Sequence, residues 1–403
     1  MALPKTTLIS FLGRGPYSHD GSRGSYWETR YRFSDLGAGP ADWTSEGATY
    51  FADAICRYRA SQGEPPLSRI VILGTAGSMW DALADTWGGD RENAGLVADF
   101  ALENLCERVD RQSVDEQVLA EYAALFNTEA GEDRYQFLLI PSAADPGTQA
   151  AILERLLSAV EEGSRVWLDV THGFRHLPML GLAAAAIAAQ VKHATVEHIL
   201  YGALDMRQEG ITPVISLNWI LRLFHALSAI DEFTRYQRIR PIIDCFPGGA
   251  LRADLENAAF RLDVMRIEEG ASAVGRARNA LKAADLSSTP ELQVLRPLLL
   301  DRLSQFAKRK RDIPGLTSMA ELALQEEDYL RAAIFVYEAV QMAQEVDLPG
   351  DGHEDGQLIG LRNALAHAGK FTLGSRNLVQ NRGTVEGFLQ GQIKRLRKEA
   401  ENG

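Results

Sequence analysis

Cysteine is scarce. Cys56, Cys106 and Cys245 are the only three in 403 residues, and they have neither the even count of a disulfide framework nor the spacing of a zinc site. A reducing, cytoplasmic setting is therefore expected. Long apolar runs are missing too: one of the longest, MLGLAAAAIAAQV (179–191), is too short and too rich in alanine to cross a bilayer, and no membrane partner is expected. No charged stretch followed by an apolar one opens the sequence, so no export signal is expected. Basic charge is not in excess either. A formal net charge of −12 argues against gripping duplex nucleic acid over a broad basic face. It leaves room for a small basic site, with KRKR (308–311) and QIKRLRKE (392–399) as candidates, though each reads more simply as a solvated helix face. The eight histidines are scattered, no His/Asp/Glu set has ligand spacing, and neither metal nor cofactor is expected.

What is present divides into two halves. Five apolar runs read as strands: TLISFLG (7–13), RIVILGTAGS (69–78), RYQFLLIPSA (134–143), RVWLDVTHG (165–173) and TVEHILYGAL (195–204). Between them FADAICRYRA, LVADFALENLCERVD, GTQAAILERLLSAVEEG and LPMLGLAAAAIAAQV carry helical periodicity. Continuous apolar strands alternating with helices predict a Rossmann-like parallel sheet covered on both faces. Right-handed crossovers then align the strand C-terminal ends along one edge. Beyond about residue 215 the strand signals stop and five helical stretches follow, ending in GLRNALAHAG (360–369). RPIIDCFPGGALR (240–252), with two prolines and a Gly-Gly pair, marks a loop. The fold class is α/β plus all-α, with domains at 1–215 and 216–403.

Three strand ends share a composition suited to a phosphate-bearing ligand. The first offers Gly13, Arg14 and Gly15, the second Thr75, Gly77 and Ser78, the fourth Asp169, Thr171, His172, Gly173 and Arg175. Glycines let a ligand approach the backbone, and hydroxyls and arginines suit phosphate and ribose oxygens. Each piece has a plainer alternative: Thr75 and Ser78 could cap the next helix, and His172 could be a packed histidine bonded to Asp169. A dinucleotide is disfavoured, because FLGRG lacks the full G-x-G-x-x-G and no acidic residue stands where a ribose would need it.

WLDVTHGFRHLP (167–178) contains D-x-T-H-G followed by F-R-x-x-P. With FLGRGPY, GTAGSMWD and ILYGALD (199–205), it resembles the CRISPR-associated DxTHG-motif proteins, whose N-terminal CARF domain binds cyclic oligoadenylate. The resemblance covers most of residues 1–215. It implies ligand contacts at residues 13–15, 75–78 and 171–175, Phe174 included, and a ring expected to hold four adenylates. A symmetric ring is bound most economically across a two-fold axis, which predicts a homodimer or an assembly of dimers. The insertion at 17–37 could be a β-hairpin or a lid.

In the helical half, Arg362, Asn363 and His367 form R-N-x-x-x-H, which resembles the motif of the HEPN ribonucleases found behind CARF domains in this family. Cleavage of single-stranded RNA by its own 2′-hydroxyl needs a proton-transfer group, suited to histidine, and a fixed cation at the phosphate, suited to arginine. Residues five apart on a helix lie about 140° apart around its axis, so the pair would border one cleft when two such helices meet across the two-fold axis. Gly360 and Gly369 bracket the motif and suggest a short helix with an accessible end; Glu338 could orient it or lie on the surface. The resemblance implies a cyclic-oligoadenylate-activated, metal-independent endoribonuclease of type III CRISPR defence, leaving 2′,3′-cyclic phosphate ends. The alternative is a non-catalytic sensor whose helical half dimerises or recruits a partner. Slow cleavage of the ring at the sensor site itself, assisted by Thr171 and His172, stays open.

Overall fold

The computed structural model describes residues 5–402, except 16–23, 25, 35, 37–41, 89–91, 131–132, 237, 247, 265, 309, 346–351 and 367–376. Eight strands make one sheet: β1 (Thr6–Leu12), β2 (Thr29–Ser34), β3 (Asp42–Ala48), β4 (Arg69–Gly74), β5 (Tyr135–Leu139), β6 (Arg165–Asp169), β7 (Thr195–Gly202) and β8 (Ile211–Ser216), in the order β3-β2-β8-β7-β6-β1-β4-β5. All five expected strands form, and they lie mutually parallel from β7 to β5. The other three extend the sheet and make it mixed: β8 runs antiparallel to β7, β2 parallel to β8, and β3 antiparallel to β2. Residues 29–34 of the insertion thus supply a hairpin strand built into the sheet.

Side chains alternate across the sheet, and each face has its own core. Leu8, Leu12, Ile70, Ile72 and Trp167 pack on one face with α1 (Phe51–Ser61), α2 (Ala94–Phe100), α3 (Cys106–Asp110) and α4 (Glu116–Ala130). Ile9, Phe11, Val71, Leu73 and Leu168 pack on the other with α5 (Pro146–Ser158) and α6 (Leu177–Val191). Burying one such side chain is worth about 1.5–3 kcal/mol, and this two-sided burial is why the central strands read as unbroken apolar runs. A π-helical turn, Ala101–Leu105, joins α2 to α3. Asp145 starts α5 with a capping box closed by Thr148.

The chain divides into two compact units, Met1–Leu221 and Arg222–Gly403. The division falls a few residues after 215, within the first turn of α7 (Asn218–Tyr236), because Asn218 belongs with the sheet: its Oδ1 accepts from the Ile199 N–H at 2.6 Å. Among its described residues the second unit is all helix. The rest of α7, α8 (Arg240–Ile243), α9 (Gly249–Asp263), α10 (Ile267–Ala283) and α11 (Pro290–Ala307) surround one core. Helices α12 (Ile313–Gln325), α13 (Tyr329–Glu345), α14 (Gly352–Ala366) and a C-terminal helix, Arg382–Asn402, surround another. The expected loop at 240–252 is half right: α8 and the start of α9 occupy both of its ends. GLRNALAHAG is not the last helical stretch, since the Arg382–Asn402 helix follows it. Gly360 lies inside α14 rather than before it.

Candidate functional site

After β2 and β3 at the far edge, the chain builds β4 and β5 outward from one flank of β1, then β6 and β7 on its other flank. That reversal leaves a crevice at the C-terminal ends of the central strands, the usual ligand position in open α/β sheets. Residues 13–15, 75–78 and 171–175 all lie at these ends. The contact between the first and last of these loops is backbone on backbone: a Cβ on Gly13 would sit 2.8 Å from the Gly173 nitrogen. Gly173 itself has φ +100°, a conformation natural only to glycine. Tyr26 clips the first loop, its hydroxyl accepting from the Gly13 N–H and donating to the Gly13 carbonyl, both at 3.0 Å.

Asp169 ties the opposite side. The β1–β6 register sets Ser10 beside it, and the Ser10 hydroxyl donates to its carboxylate at 2.6 Å. Its other oxygen accepts from the Thr171 N–H at 2.8 Å, and the Thr171 hydroxyl accepts from the Gly202 N–H at 2.8 Å. Asp169 is fully buried; burial pushes its carboxyl up to about 6, against the opposing pull of the bonds from Ser10 and Thr171. Asp169 is therefore a loop-fixing group beneath the surface.

His172 is also beneath the surface, only 7% exposed. Its ring lies against Tyr26 and Tyr50, with centroids 4.7 and 5.3 Å away, and its buried Nε2 makes no hydrogen bond. Burial pushes it down to about 4, so it is neutral near pH 7. It is packed as in the plainer alternative, but two tyrosine rings rather than a bond to Asp169 hold it. Ser78 is likewise engaged internally: its hydroxyl accepts from the Thr75 N–H at 2.9 Å and donates to the Leu12 carbonyl at 2.8 Å. What faces outward is a smaller set, with Phe174 and Arg175 exposed and Arg14 half-buried.

A groove of about 440 Å³ at this edge unites Arg14, Thr75, Gly77 and Phe174 with Gln112 and the end of β5, including Ile140 and Ser142. Gly77 is its floor, and a Cβ there would meet the side chains of Gln112 and Arg14 within 3.0 Å. Gln112 and the β5 end were missed in the sequence. Ser142 could have been found, since it follows β5 at the same kind of strand-to-loop junction as Gly13, Gly77 and Gly173. Gln112 could not, because it arrives from the far end of α3 at φ +54°.

In the second unit, Arg362 and Asn363 sit half-buried on α14. The Arg362 guanidinium donates to Asn363 Oδ1 at 2.9 Å and lies over the Tyr337 ring, 4.4 Å from its centroid. His367 lies outside the described residues. Glu338 pairs with Arg311 at 2.7 Å, and Arg331 donates to the Tyr236 carbonyl at 3.0 Å. The tail run is amphipathic: Ile393 and Leu396 are buried and Arg397 pairs with Glu321. Among the described residues no group of three His, Cys, Asp or Glu could hold a metal ion, and no helix is long and apolar enough to cross a membrane.

A central reversal with glycine-lined strand ends and an arginine-bearing groove defines a ligand-sensing α/β domain. Residues 7–205 match the family described as CRISPR system endoribonuclease Csx1, CARF domain. A Methanocaldococcus jannaschii protein named CRISPR-associated protein MJ1674 is 25% identical over 187 residues, covering 42% of this chain and 29% of that one. The match thus reaches less than a third of that relative's length. The chain is a CARF-containing, CRISPR-associated protein, and its CARF domain implies a cyclic oligoadenylate effector.

Proposed function

We propose that the protein is a cyclic-oligoadenylate-activated, metal-independent single-strand endoribonuclease of type III CRISPR antiviral defence, working as a cytoplasmic homodimer. The activator occupies the sensor edge through residues 13–15, 75–78 and 171–175. The second unit is the HEPN ribonuclease domain. His367 moves the proton of the attacking 2′-hydroxyl and later that of the leaving 5′-oxygen; Arg362 stabilises charge on the pentacoordinate phosphate, and Asn363 holds Arg362. The observation that carries this reading is the oriented Arg362, bonded to Asn363 and stacked on Tyr337, in a chain whose CARF family description names an endoribonuclease.

The half-burial of the same pair supports a second reading, a regulator whose helical unit only binds a partner. Labelled single-stranded RNA incubated with the protein, EDTA and each cyclic oligoadenylate in turn separates the two. Cleavage that needs activator, leaves 2′,3′-cyclic phosphate ends and disappears in His367→Ala is expected. No cleavage with any ring would overturn the enzymatic reading, and activator binding without cleavage would favour the regulator.

A further inference from the structure

At the opposite edge of the sheet, near the strand N-termini, a cavity of about 190 Å³ lies among Cys56, Arg59, Glu64, Pro65, Ile70 and Arg134. Two guanidiniums face it. Arg59 is 3% exposed and firmly held: it pairs with Glu64 at 2.6 Å, donates to the Pro65 carbonyl at 3.3 Å and lies over the Trp167 ring, 4.8 Å from its centroid. Arg134 is different. Its backbone is fixed, the carbonyl accepting from the Ile70 N–H at 2.7 Å, yet its buried Nε makes no hydrogen bond and no carboxylate pairs with it among the described residues. The Nε of Arg59 is buried and unbonded as well.

Among the described residues, charges around the cavity do not balance. Asp53 is engaged by Arg57 at 2.8 Å and Glu64 by Arg59, so among these residues Arg134 has no carboxylate opposite it beside a space walled by proline, leucine and isoleucine. Partly buried charge without a partner is costly, and low-dielectric walls raise the attraction for an anion placed there. The volume is below the roughly 300 Å³ of a drug-sized site, which restricts the occupant to a small group. Planar guanidinium donors suit the oxygens of a tetrahedral oxyanion.

We propose that this cavity is a binding site for a small phosphate-type oxyanion, held by Arg134 and Arg59 at the sheet edge opposite the sensor loops. The site is independent of the ribonuclease reading. Its test is thermal unfolding of the full chain in sodium phosphate and in sodium chloride at matched ionic strength, with ³¹P NMR of inorganic phosphate alongside. Phosphate should raise the unfolding temperature of the wild type with a saturating dependence on concentration, and the protein should broaden the phosphate resonance. Arg14→Ala should keep both effects, which separates this cavity from the sensor edge. Arg134→Gln should lose both, and in chloride it should be at least as stable as the wild type, because an unpaired cation has been removed. A phosphate shift unchanged in Arg134→Gln, or one rising without saturation as general salting does, would overturn the proposal. So would a large loss of stability of Arg134→Gln in chloride.

Discussion

The sensor edge of the first unit and the motif helix of the second both carry chemistry-bearing side chains, but they use them differently. At the sensor edge Asp169, Ser10, Thr171 and Ser78 bond to one another or to nearby backbone, and His172 lies between tyrosines. Those polar residues have become scaffold, and the groove is lined instead by backbone with Arg14, Thr75, Gln112, Ser142 and Phe174. On α14 the Arg362 guanidinium bonds to Asn363 and lies over the Tyr337 ring of α13, and both residues stay half-buried. Residue types that look catalytic in sequence are buried scaffold in one place and half-buried in the other. Burial, not identity, makes the difference.

Five substitutions test that contrast. The largest effect belongs to His367→Ala, expected to lower activator-dependent cleavage about 10²–10⁴-fold in a labelled-RNA assay while leaving the unfolding midpoint unchanged; a lowered midpoint would put the motif on the architectural side. Asp169→Ala should do the reverse. It leaves the Thr171 N–H without its acceptor, at about 1–3 kcal/mol, while the Ser10 hydroxyl keeps Tyr50 Oη as a partner at 2.6 Å, and urea unfolding should read that loss directly. Gly13→Ala drives a methyl against the Gly173 nitrogen, and about 1–3 kcal/mol of destabilisation is expected from the forced shift, together with weaker activator binding by calorimetry.

The pH dependence sharpens the picture further. His172 is pushed down to about 4 from its ordinary 6.5, so the unfolded chain takes up its proton first. Its stabilising contribution is complete above pH 6.5 and is lost as pH falls toward 4, about 2 kcal/mol of it between pH 7 and 5. Asp169 acts with the opposite sign. Pushed up to about 6 from 3.8, it is protonated first in the folded state, so stability is gained as pH falls through 6 and lost as pH rises through 6. The two largely offset each other in the wild type. His172→Phe keeps the ring stack and removes one of the opposing groups. Relative to wild type, it should gain about 2 kcal/mol on going from pH 7 to pH 5, read from urea midpoints; parallel profiles would mean that His172 is not buried neutral. The smallest effect is that of Glu338→Gln, which breaks a partly exposed pair with Arg311 and should change stability by less than about 1 kcal/mol and cleavage not at all.

Much of the fold was legible because two-sided burial writes itself as uninterrupted apolar runs, as in TLISFL and RIVILG. The missed strands are of another kind. β2 buries alternate residues of TRYRFS, β3 is the largely polar DWTSEGA, and β8 contains Pro213, so none shows the pattern of a central parallel strand. Helices α12 and α13 are separated at Glu327, which takes φ +59°, and nothing in the sequence around it announces that break. At the site, the glycines and Arg14 were visible from composition. The fate of His172 was not: Tyr26 and Tyr50 reach it from distant sequence, and tertiary contact alone decides whether a histidine at a strand end faces solvent.

The touching backbones at Gly13 and Gly173 have a mechanical consequence. With no side chain between them to yield, the two loops have little compliance relative to each other, and a load on either is carried into β1 and β6 at once. These two neighbouring strands then respond as one stiff plate. A larger residue at either position would insert a spring where the molecule has a rigid joint.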